Sequence, residues 1–421
     1  MKELSEIKKW DAEDSLARYR SHFVHSQEEI YMDGNSLGKL PLETKKKMEE
    51  TLSNAWGKRL IRSWNEDWLE LPLRLAAKYA SLLNAAPEEL LIGESTSVRL
   101  FQIVQALLQL KKYPLRLVTD SLNFPTDNYI LEGLAEMHSK EAVYRIDYPD
   151  EINANLDHLK KAFEEKPGIY CLSLVSYKSA FLYPMKTINQ WAAAHDSIIV
   201  WDLSHAVGAV AIDLKAAECK VALGCSYKYL NGGPGAPAFL YVTQELYPSL
   251  KNPIQGWFGH QSPFEFDPKY TPAEGIQRFA VGTPPVLSLQ AMESGVDITL
   301  QAGIKNIRAK SIQQTELFIQ LFKEKLNPLG FQLESPEDSQ IRGSHVTLSH
   351  TESWRICQAL LQGIPNGPVV IPDFRPPRFI RFGIAPLYTR FEEIYTVVHR
   401  LEQIVHSQSY LQFDQKKPTV T

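Results

Sequence analysis

The chain has 421 residues, and 45 Lys and Arg against 49 Asp and Glu leave a formal net charge of −4. This length allows a large domain and a smaller one. The near balance of charge and the lack of a long basic block argue against nucleic acid or an anionic membrane as a partner, and favour a small molecule. Four cysteines stand far apart with no Cys-x-x-Cys pair, so neither a disulfide framework nor a metal site is expected.

The N-terminal segment, MKELSEIKKWDAED, is charged and has the pattern of a helix rather than that of a signal peptide. The sequence contains no apolar run of about 18 residues that could span a bilayer. A cytoplasmic protein that does not bind membranes is therefore expected.

Residues 90–245 alternate between helical and strand-like segments. Apolar residues at 98, 101, 104, 107 and 108 predict a helix that begins at the hydroxyl residues Thr96 and Ser97. Five short apolar runs predict buried strands: LRLVTD, AVYRID, GIYCLSLVSY, SIIVWD and VALGCSY. The alternation predicts an α/β fold with a doubly wound sheet, which binds ligands at the carboxyl ends of its strands.

After residue 285 a long helical pattern leads out of this region, with a break expected near Gly295 or Gly303. The remaining segments predict a smaller α+β unit: HVTLSH, ESWRICQALLQ, FIRFGIAPLY and FEEIYTVVHRLEQIV. No internal repeat is apparent.

Asp202 and Lys228 each follow an apolar strand, so both side chains are expected at one edge of the sheet. A lysine and a carboxylate at such a site are what pyridoxal phosphate requires. Burial can make the lysine amine neutral for imine formation, and the carboxylate keeps the pyridine nitrogen protonated. The alternative is a turn-capping aspartate and a surface lysine before a glycine-rich turn.

The phosphate of such a cofactor needs donors at a helix N-terminus, and Thr96 and Ser97 begin one. Ordinary capping explains these two hydroxyl residues equally well. The segment FPTD, residues 124–127, offers an aromatic ring for the cofactor face and an acceptor for its polar edge.

Six motifs, in this order, carry a resemblance that covers most of the chain: YMDGNSLGKLP, NFPTDNY, WDLSHAVGAVAIDL, GCSYKYLNGGPG, GWFGHQSPFEFD and FAVGTPP. Together they closely resemble the kynureninase family of fold-type-I pyridoxal-phosphate enzymes. The resemblance implies a large doubly wound mixed-sheet domain and a smaller α+β C-terminal domain. The expected division is an N-terminal segment packing with the small domain (1–50), a cofactor-binding domain (51–290) and the small domain (291–421).

The resemblance also implies residue roles. Lys228 would hold the cofactor covalently and act in catalysis with Tyr227, which would also reach the cofactor phosphate. The other expected cofactor-binding residues are Thr96, Ser97, Phe124, Pro125, Thr126, Asp127, Ser173, Asp202, His205, Trp257 and Thr283. Trp257 and Thr283 would come from the partner subunit of a homodimer. Arg381 would bind the substrate carboxylate, the alternative being a surface arginine on an edge strand, and Asn35 and Trp64 are candidates for the aryl pocket.

The expected activity is hydrolysis of L-kynurenine, or of its 3-hydroxy form, to anthranilate or 3-hydroxyanthranilate and L-alanine. A cysteine desulfurase-like lyase is the alternative within the same fold, but it needs a mobile thiol, and Cys357 lies on the apolar face of a predicted helix. A nicotinamide- or nucleotide-binding protein is disfavoured because neither GxGxxG after a first strand nor GxxxxGK[ST] occurs. A catalytically inactive cofactor-binding protein is disfavoured because Arg381 and Trp257 are both present.

Overall fold

The structure, a computed structural model, describes residues 4–138, 143–150, 152–363 and 367–415. The helices are α1 (Leu4–Glu13), α2 (Leu42–Glu50), α3 (Leu71–Leu83), α4 (Thr96–Leu110), α5 (Pro125–His138), α6 (Leu156–Glu165), α7 (Met185–Ala194), α8 (Val286–Ala302), α9 (Ile304–Leu321), α10 (Ser353–Gln362) and α11 (Phe391–His406). Wider π-helical turns occur at Thr51–Arg59, Trp64–Trp68 and Phe322–Leu326.

Within the described ranges the strands form three sheets. They are β1 (Glu29–Tyr31), β2 (Leu90–Ile92), β3 (Leu117–Asp120), β4 (Tyr144–Ile146), β5 (Ile169–Ser173), β6 (Ile198–Asp202), β7 (Val221–Gly224), β8 (Phe239–Val242), β9 (Gln332–Leu333), β10 (His345–Ser349), β11 (Val369–Ile371), β12 (Asp373–Arg375) and β13 (Phe379–Gly383). The largest sheet has the order β2-β8-β7-β6-β5-β3-β4. Strands β3 to β7 are parallel, and β8 runs antiparallel to both of its neighbours.

Successive side chains of the central strands point to opposite faces of this sheet, and those on both faces are apolar, so helices cover both faces. In β6, Ile198 and Val200 face a core built with α4 and α5. Ile199 and Trp201 face the opposite core, built with α3, α6, α7 and α8. Strands buried on both faces have continuous apolar sequences, as IIVWD does, and the predicted doubly wound fold is confirmed.

A second core belongs to the C-terminal part of the chain. The sheet β12-β13-β10-β9 is antiparallel and packs against α9, α10 and α11. The N-terminal segment joins this core through Ile7, Ile30 and Met32, and β1 pairs in parallel with β11. Residues near both ends of the chain therefore share one hydrophobic core.

All five predicted strands and the helix predicted from Thr96 are present. The helical pattern after residue 285 breaks at Gly303, whose φ is +79°, whereas α8 runs uninterrupted through Gly295. Gly295 lies against Leu230, where an added Cβ would come within 2.1 Å of the Leu230 carbonyl oxygen. The glycine at 295 therefore permits close helix packing rather than a bend.

No helix within the described ranges has both the length and the apolarity needed to cross a membrane.

Candidate active site

Lys228 lies in the turn after β7, with its ammonium group next to His205. The distance from Lys228 Nζ to His205 Nε2 is 2.8 Å, and His205 is 5% exposed. Burial lowers the pKa of Lys228, and burial together with the Lys228 charge lowers the pKa of His205 well below its usual range. A neutral histidine can accept a hydrogen bond from Lys228 through Nε2. The turn therefore presents a lysine that loses its proton more readily than a solvent-exposed one.

Asp202 ends β6, beside Lys228, as the sequence predicted for two neighbouring parallel strands. Its Oδ1 accepts hydrogen bonds from Ser204 N at 2.8 Å and Ser204 Oγ at 2.5 Å. Burial raises the pKa of Asp202, and the Lys228 charge opposes this. Asp127 is a second buried carboxyl group near by, and burial and the Asp202 charge raise its pKa. Among the described residues its Oδ2 has no hydrogen-bond partner.

A cavity of about 420 Å³ lies at the N-terminus of α4. Its walls include Thr96, Ser97, Tyr227 and Thr283 from the same chain. Ser95 caps the helix, since its hydroxyl accepts from Val98 N at 3.3 Å. The cap is thus one residue earlier than the two hydroxyl residues, which leaves Thr96 and Ser97 at the cavity wall.

Phe124 lies beside Lys228 at the start of α5. Lys228 Nζ is 5.7 Å from the centroid of the Phe124 ring, and Tyr177 packs edge-on against the same ring at 5.2 Å. Pro125 and Thr126 form the first turn of α5. Ser173 ends β5 opposite Asp202, and its hydroxyl donates to Asn123 Oδ1 at 2.6 Å. Phe124, Ser173 and Asp202 therefore gather at one edge of the sheet.

Arg381 belongs to β13, which has a neighbour on each side, and its side chain is only 1% exposed. The alternative of a surface arginine on an edge strand is wrong. Its guanidinium lies 2.6 Å from the Asp373 carboxylate, donates to Ser36 Oγ at 2.9 Å and donates to the Tyr177 carbonyl oxygen. Burial lowers the pKa of Arg381, with Asp373 opposing the shift.

The segment 33–38 crosses from β13 to the Lys228 turn. Asn35 is fully buried, and the amide orientation that satisfies both of its neighbours places its oxygen 2.8 Å from Arg381 Nε and its nitrogen 3.2 Å from Asp33 Oδ1. At the other end, Gly38 N donates to the Tyr227 carbonyl oxygen at 2.8 Å. Asn35 thus contacts Arg381, and the segment links it to the lysine turn.

Trp64 and Trp257 lie in an aromatic cluster on the surface. The Trp64 ring centroid is 6.2 Å from that of Phe258, which packs on Trp257 at 4.5 Å. Phe264 and Phe266 complete the cluster and are 54% and 75% exposed. A group of aromatic residues this exposed is typical of a protein interface.

The glycines after Lys228 have two separate roles. An added Cβ at Gly232 would lie 2.8 Å from the Ser226 carbonyl oxygen and 3.0 Å from Met292. Gly233 has open space around it, but its φ of +88° lies in the left-handed region. The turn therefore needs a glycine for space at one position and for backbone conformation at the next.

These groups fit pyridoxal phosphate. Lys228 would supply an amine for the aldehyde, Asp202 a carboxylate for the pyridine nitrogen, and the α4 N-terminus donors for the phosphate. Asp127 Oδ2 and His205 Nδ1 are buried polar atoms without partners in the described part of the chain, and a polar ring would give them some. The described residues contain no group of three or more His, Cys, Asp or Glu that could hold a metal ion.

Sequence reasoning missed Asn123, Ser36 and Asp373, which surround the predicted residues. Asn123 directly precedes Phe124, and Ser36 lies within YMDGNSLGKLP, so both were inside motifs that were otherwise interpreted. Asp373 is eight positions from Arg381, and only the pairing of β12 with β13 brings the two together.

The sequence matches known families and relatives over most of its length. Residues 30–353 match the family model for class-V aminotransferases, and residues 307–401 match that for the kynureninase C-terminal domain. Kynureninase from Pseudomonas fluorescens is 38% identical over 408 residues, which cover 96% of this chain and 95% of that protein. Kynureninase from Burkholderia mallei is 36% identical over 416 residues and 97% of each chain.

Solved structures similar to this chain are more distant in sequence. A cysteine desulfurase from Thermococcus onnurineus superimposes with a TM-score of 0.80 at 16% identity, covering 93% of this chain and 98% of that one. A mutant of C-DES with glycine covalently linked to its PLP cofactor gives 0.79 at 15% identity, covering 91% and 98%. At these identities the likeness shows the fold, which is that of fold-type-I pyridoxal-phosphate enzymes. The family itself is fixed by the full-length relatives, and the chain belongs to the kynureninase family.

Proposed function

We propose that the protein is a pyridoxal-phosphate-dependent hydrolase that cleaves the β–γ bond of L-kynurenine, or of 3-hydroxy-L-kynurenine, with water. The products are anthranilate, or its 3-hydroxy form, and L-alanine. The observation that carries this proposal is the half-buried Lys228, paired with His205 at 2.8 Å and adjacent to Asp202, in a chain that matches kynureninases over nearly its whole length.

Lys228 is proposed to hold the cofactor and then, once the substrate amine has displaced it, to move the proton at the substrate α-carbon. Its lowered pKa favours the neutral amine that both tasks need. When bound, the cofactor supplies an electron sink that stabilises negative charge at the substrate α-carbon. Asp202 and Asp127 are the buried carboxyl groups suited to the pyridine nitrogen, and Thr96 and Ser97 to the phosphate.

Arg381 is proposed to bind the α-carboxylate of the substrate, since a guanidinium can grip both carboxylate oxygens. Asn35 and Ser36 would orient this guanidinium. Tyr227 is proposed to donate or relay a proton in the later steps, because it directly precedes Lys228 and its side chain lines the cavity at the N-terminus of α4. Its neighbour Cys225 and its burial raise the pKa of Tyr227, which keeps the phenol protonated.

The cysteine desulfurase alternative requires a thiol that can move and attack. Cys357 is 2% exposed and packs with Trp354 and Phe374. Burial raises the pKa of the Cys357 thiol to about 12, which disfavours the reactive thiolate. The structural similarity to desulfurases therefore does not extend to their chemistry.

A homodimer with shared active sites is proposed as the working form. The exposed aromatic cluster around Trp257 supports an interface there, together with exposed Trp56, Leu60 and Ile61. Trp257 would reach the partner's cofactor. Thr283 lines the cavity of its own chain, so its contribution to a partner site depends on the geometry of the dimer.

The proposed domain division is 1–50, 51–290 and 291–421. The shared core of Ile7, Ile30 and Met32 with the C-terminal elements supports grouping the N-terminal segment with the small domain. The boundary at 290 falls inside α8, which packs on the large domain up to Val296. α8 would accordingly act as the connection between the two domains.

The proposal is tested by adding pyridoxal phosphate to purified apoprotein and then supplying each substrate. We expect a yellow protein whose cofactor becomes fixed to Lys228 by borohydride, and turnover of kynurenine or 3-hydroxykynurenine with equal release of alanine. Comparing kcat/KM for the two substrates identifies the preferred one. A protein that takes up no pyridoxal phosphate, or binds it but cleaves neither substrate, would contradict the cofactor or the substrate assignment respectively.

A further inference from the structure

Asn123 is buried where β3 and β5 end and α5 begins, with 3% of its surface exposed. Its Nδ2 donates to Thr119 Oγ1 at 3.1 Å and to the Cys171 carbonyl oxygen at 3.0 Å. Its Oδ1 accepts from Phe124 N at 2.9 Å and from Ser173 Oγ at 2.6 Å. An amide side chain offers two N–H donors and an oxygen with two lone pairs, so every hydrogen-bonding position of Asn123 is used.

The two groups that share the Asn123 oxygen belong to two different elements of the candidate site, since Phe124 directly precedes α5 and Ser173 ends β5. The Phe124 backbone is fixed there, and its ring is 5.7 Å from Lys228 Nζ. Ser173 is paired in register with Asp202, the carboxylate suited to the pyridine nitrogen. One amide oxygen therefore sets the spacing between the Phe124 backbone and the end of β5, which pairs with the strand that carries the Asp202 carboxylate.

The turn before Asn123 is fixed separately. Asp120 accepts from Leu122 N at 3.0 Å, from Tyr148 Oη at 3.2 Å and from Tyr183 Oη at 2.5 Å. Together with the Asn123 backbone N–H, which donates to the Asp120 carbonyl oxygen at 3.4 Å, these contacts hold the end of β3 without involving the Asn123 side chain. Loss of the Asn123 amide should therefore release Phe124 and Ser173 while the turn itself stays in place.

We propose that Asn123 is a positioning residue for pyridoxal phosphate, holding the backbone that carries the Phe124 ring at a fixed separation from the Ser173 hydroxyl. The inference rests on the proposed cofactor of this site, but not on the identity of the substrate. Asn123 acts through its neighbours, so its removal should alter how tightly and how asymmetrically the cofactor is held.

The experiment titrates apoprotein with pyridoxal phosphate and records the dissociation constant and the visible circular dichroism of the bound cofactor. Asn123→Ala should weaken binding about tenfold, as expected for loss of one or two net hydrogen bonds, and should diminish the dichroism band. The matched control is Asn189→Ala. Asn189 also bridges two elements, donating to the Ala217 carbonyl oxygen at 2.8 Å and accepting from Trp201 Nε1 at 2.8 Å.

Asn189 lines a different cavity, with Ile198 and Lys220 at the amino ends of β6 and β7. Its substitution should lower the thermal midpoint of the apoprotein but leave the cofactor dissociation constant and the dichroism unchanged. If Asn123→Ala left the dissociation constant and the dichroism at wild-type values, Asn123 would be a structural residue only. The same would hold if Asn123→Ala and Asn189→Ala lowered the thermal midpoint equally and changed the two cofactor readouts equally.

Ser173→Ala provides the second arm, and its failure to change either cofactor readout would contradict the inference even if Asn123→Ala yields no folded apoprotein. It removes only the hydroxyl that donates to Asn123 Oδ1, and should weaken cofactor binding and reduce the dichroism. In the Asn123→Ala background its further effect should be smaller, because the shared hydrogen bond is already gone. Full additivity, or no effect of Ser173→Ala alone, would overturn the inference. A wild-type protein that binds the cofactor without cleaving kynurenine would contradict the proposed substrate and leave this result intact.

Discussion

Arg381 is the residue whose removal should separate substrate binding from cofactor binding. Arg381→Ala deletes a charge-assisted contact to the substrate carboxylate worth roughly 1.5 to 3 kcal/mol, or about ten- to a hundredfold in affinity. We expect KM for kynurenine to rise by that factor while the dissociation constant of pyridoxal phosphate stays the same.

Arg378→Ala is the matched control, because this arginine lies three positions away, its side chain is 57% exposed and it pairs only loosely with Glu334 at 3.7 Å. It should leave both constants unchanged. A fall in cofactor occupancy with Arg381→Ala, in place of a rise in KM, would assign Arg381 to the cofactor site or to the fold.

Asp33 should make stability depend on pH. Burial, reinforced by the Asp373 charge, raises the pKa of Asp33 to about 6 from the usual 3.8. The folded state thus binds a proton more tightly than the unfolded state, so this group's contribution to stability falls as pH rises from about 4 to 6. Asp33→Asn should leave stability nearly unchanged at pH 4 and raise it by about 1 to 3 kcal/mol above pH 7.

Thermal unfolding of the apoprotein between pH 4 and 8 measures this effect. Asp213→Asn should behave in the opposite sense, because the Ala216 backbone N–H lowers the pKa of Asp213. Its native carboxylate adds stability above the usual pKa, and that contribution is lost in acid. If the gain in stability from Asp33→Asn did not grow with pH, the folded protein would not disfavour the ionised form of Asp33.

At the scale of elements, the contact between β13 and the segment 33–38 depends on Gly383. An added Cβ there would lie 1.8 Å from the Asn35 amide and 2.9 Å from the Asn35 backbone nitrogen. Gly383→Ala should therefore displace the segment, lower the free energy of unfolding by about 1 to 3 kcal/mol and raise KM, since Asn35 contacts Arg381.

Gly133→Ala is the control for this substitution. Gly133 lies within α5 with no atom within 4 Å of an added Cβ, so alanine should be neutral or stabilise the helix by up to about 1 kcal/mol. Calorimetry measures the stability of both variants, and steady-state kinetics measures their KM. An unchanged KM for a Gly383→Ala protein that is less stable would mean that the segment does not orient Arg381.

The elements that sequence predicts here are those whose signals are local. The helix from Thr96 shows its apolar stripe over 15 residues, and IIVWD is buried on both faces, so each is visible in its own window. Strand β8 is only four residues long and antiparallel to its neighbours, and β1 depends on β11, some 340 positions away. Pairings of this kind leave no local periodicity.

The residues of the candidate site also differ in whether the sequence could predict their positions. Lys228 and Asp202 could be predicted because the carboxyl ends of adjacent parallel strands must meet, which is a rule of topology. The roles expected for other residues come from the family resemblance. Ser36 and Asn35 meet Arg381 only through the docking of the N-terminal segment on the small domain, and Asp373 meets it only through the pairing of β12 with β13. No spacing in the sequence reports either contact.

At the scale of the whole molecule, a dimer with shared sites predicts complementation. Mixing Lys228→Ala with Trp257→Ala under conditions that exchange subunits gives heterodimers in which one site carries both defects and the other carries neither. Random pairing of equal amounts makes half of the dimers mixed, so activity should recover toward about a quarter of wild type. Steady-state turnover before and after exchange measures the recovery.

The control mixes Lys228→Ala with Asp202→Ala, because both residues lie at one sheet edge of the same chain. Neither parent variant has an intact site under the shared-site arrangement. In the mixed dimer each site carries one of the two defects, so no intact site forms. No recovery is expected from that pair. If verified exchange restored no activity with Trp257→Ala either, Trp257 would act within its own chain and the shared-site arrangement would be wrong.

The crowded surroundings of Arg381 also bear on how the protein treats the ions of its solvent. A desolvated guanidinium with unused N–H groups would collect chloride or phosphate, which are far more abundant than any amino acid substrate. Here Ser36, Asn35 and Tyr177 already accept from Arg381, and Asp373 balances its charge at 2.6 Å. An ambient anion would have to displace these partners and gain little in exchange, whereas a carboxylate anchored through its own amino group gains contacts at both ends. If Arg381 has its proposed role, its contacts in the substrate-free protein should favour binding of the substrate carboxylate over chloride or phosphate.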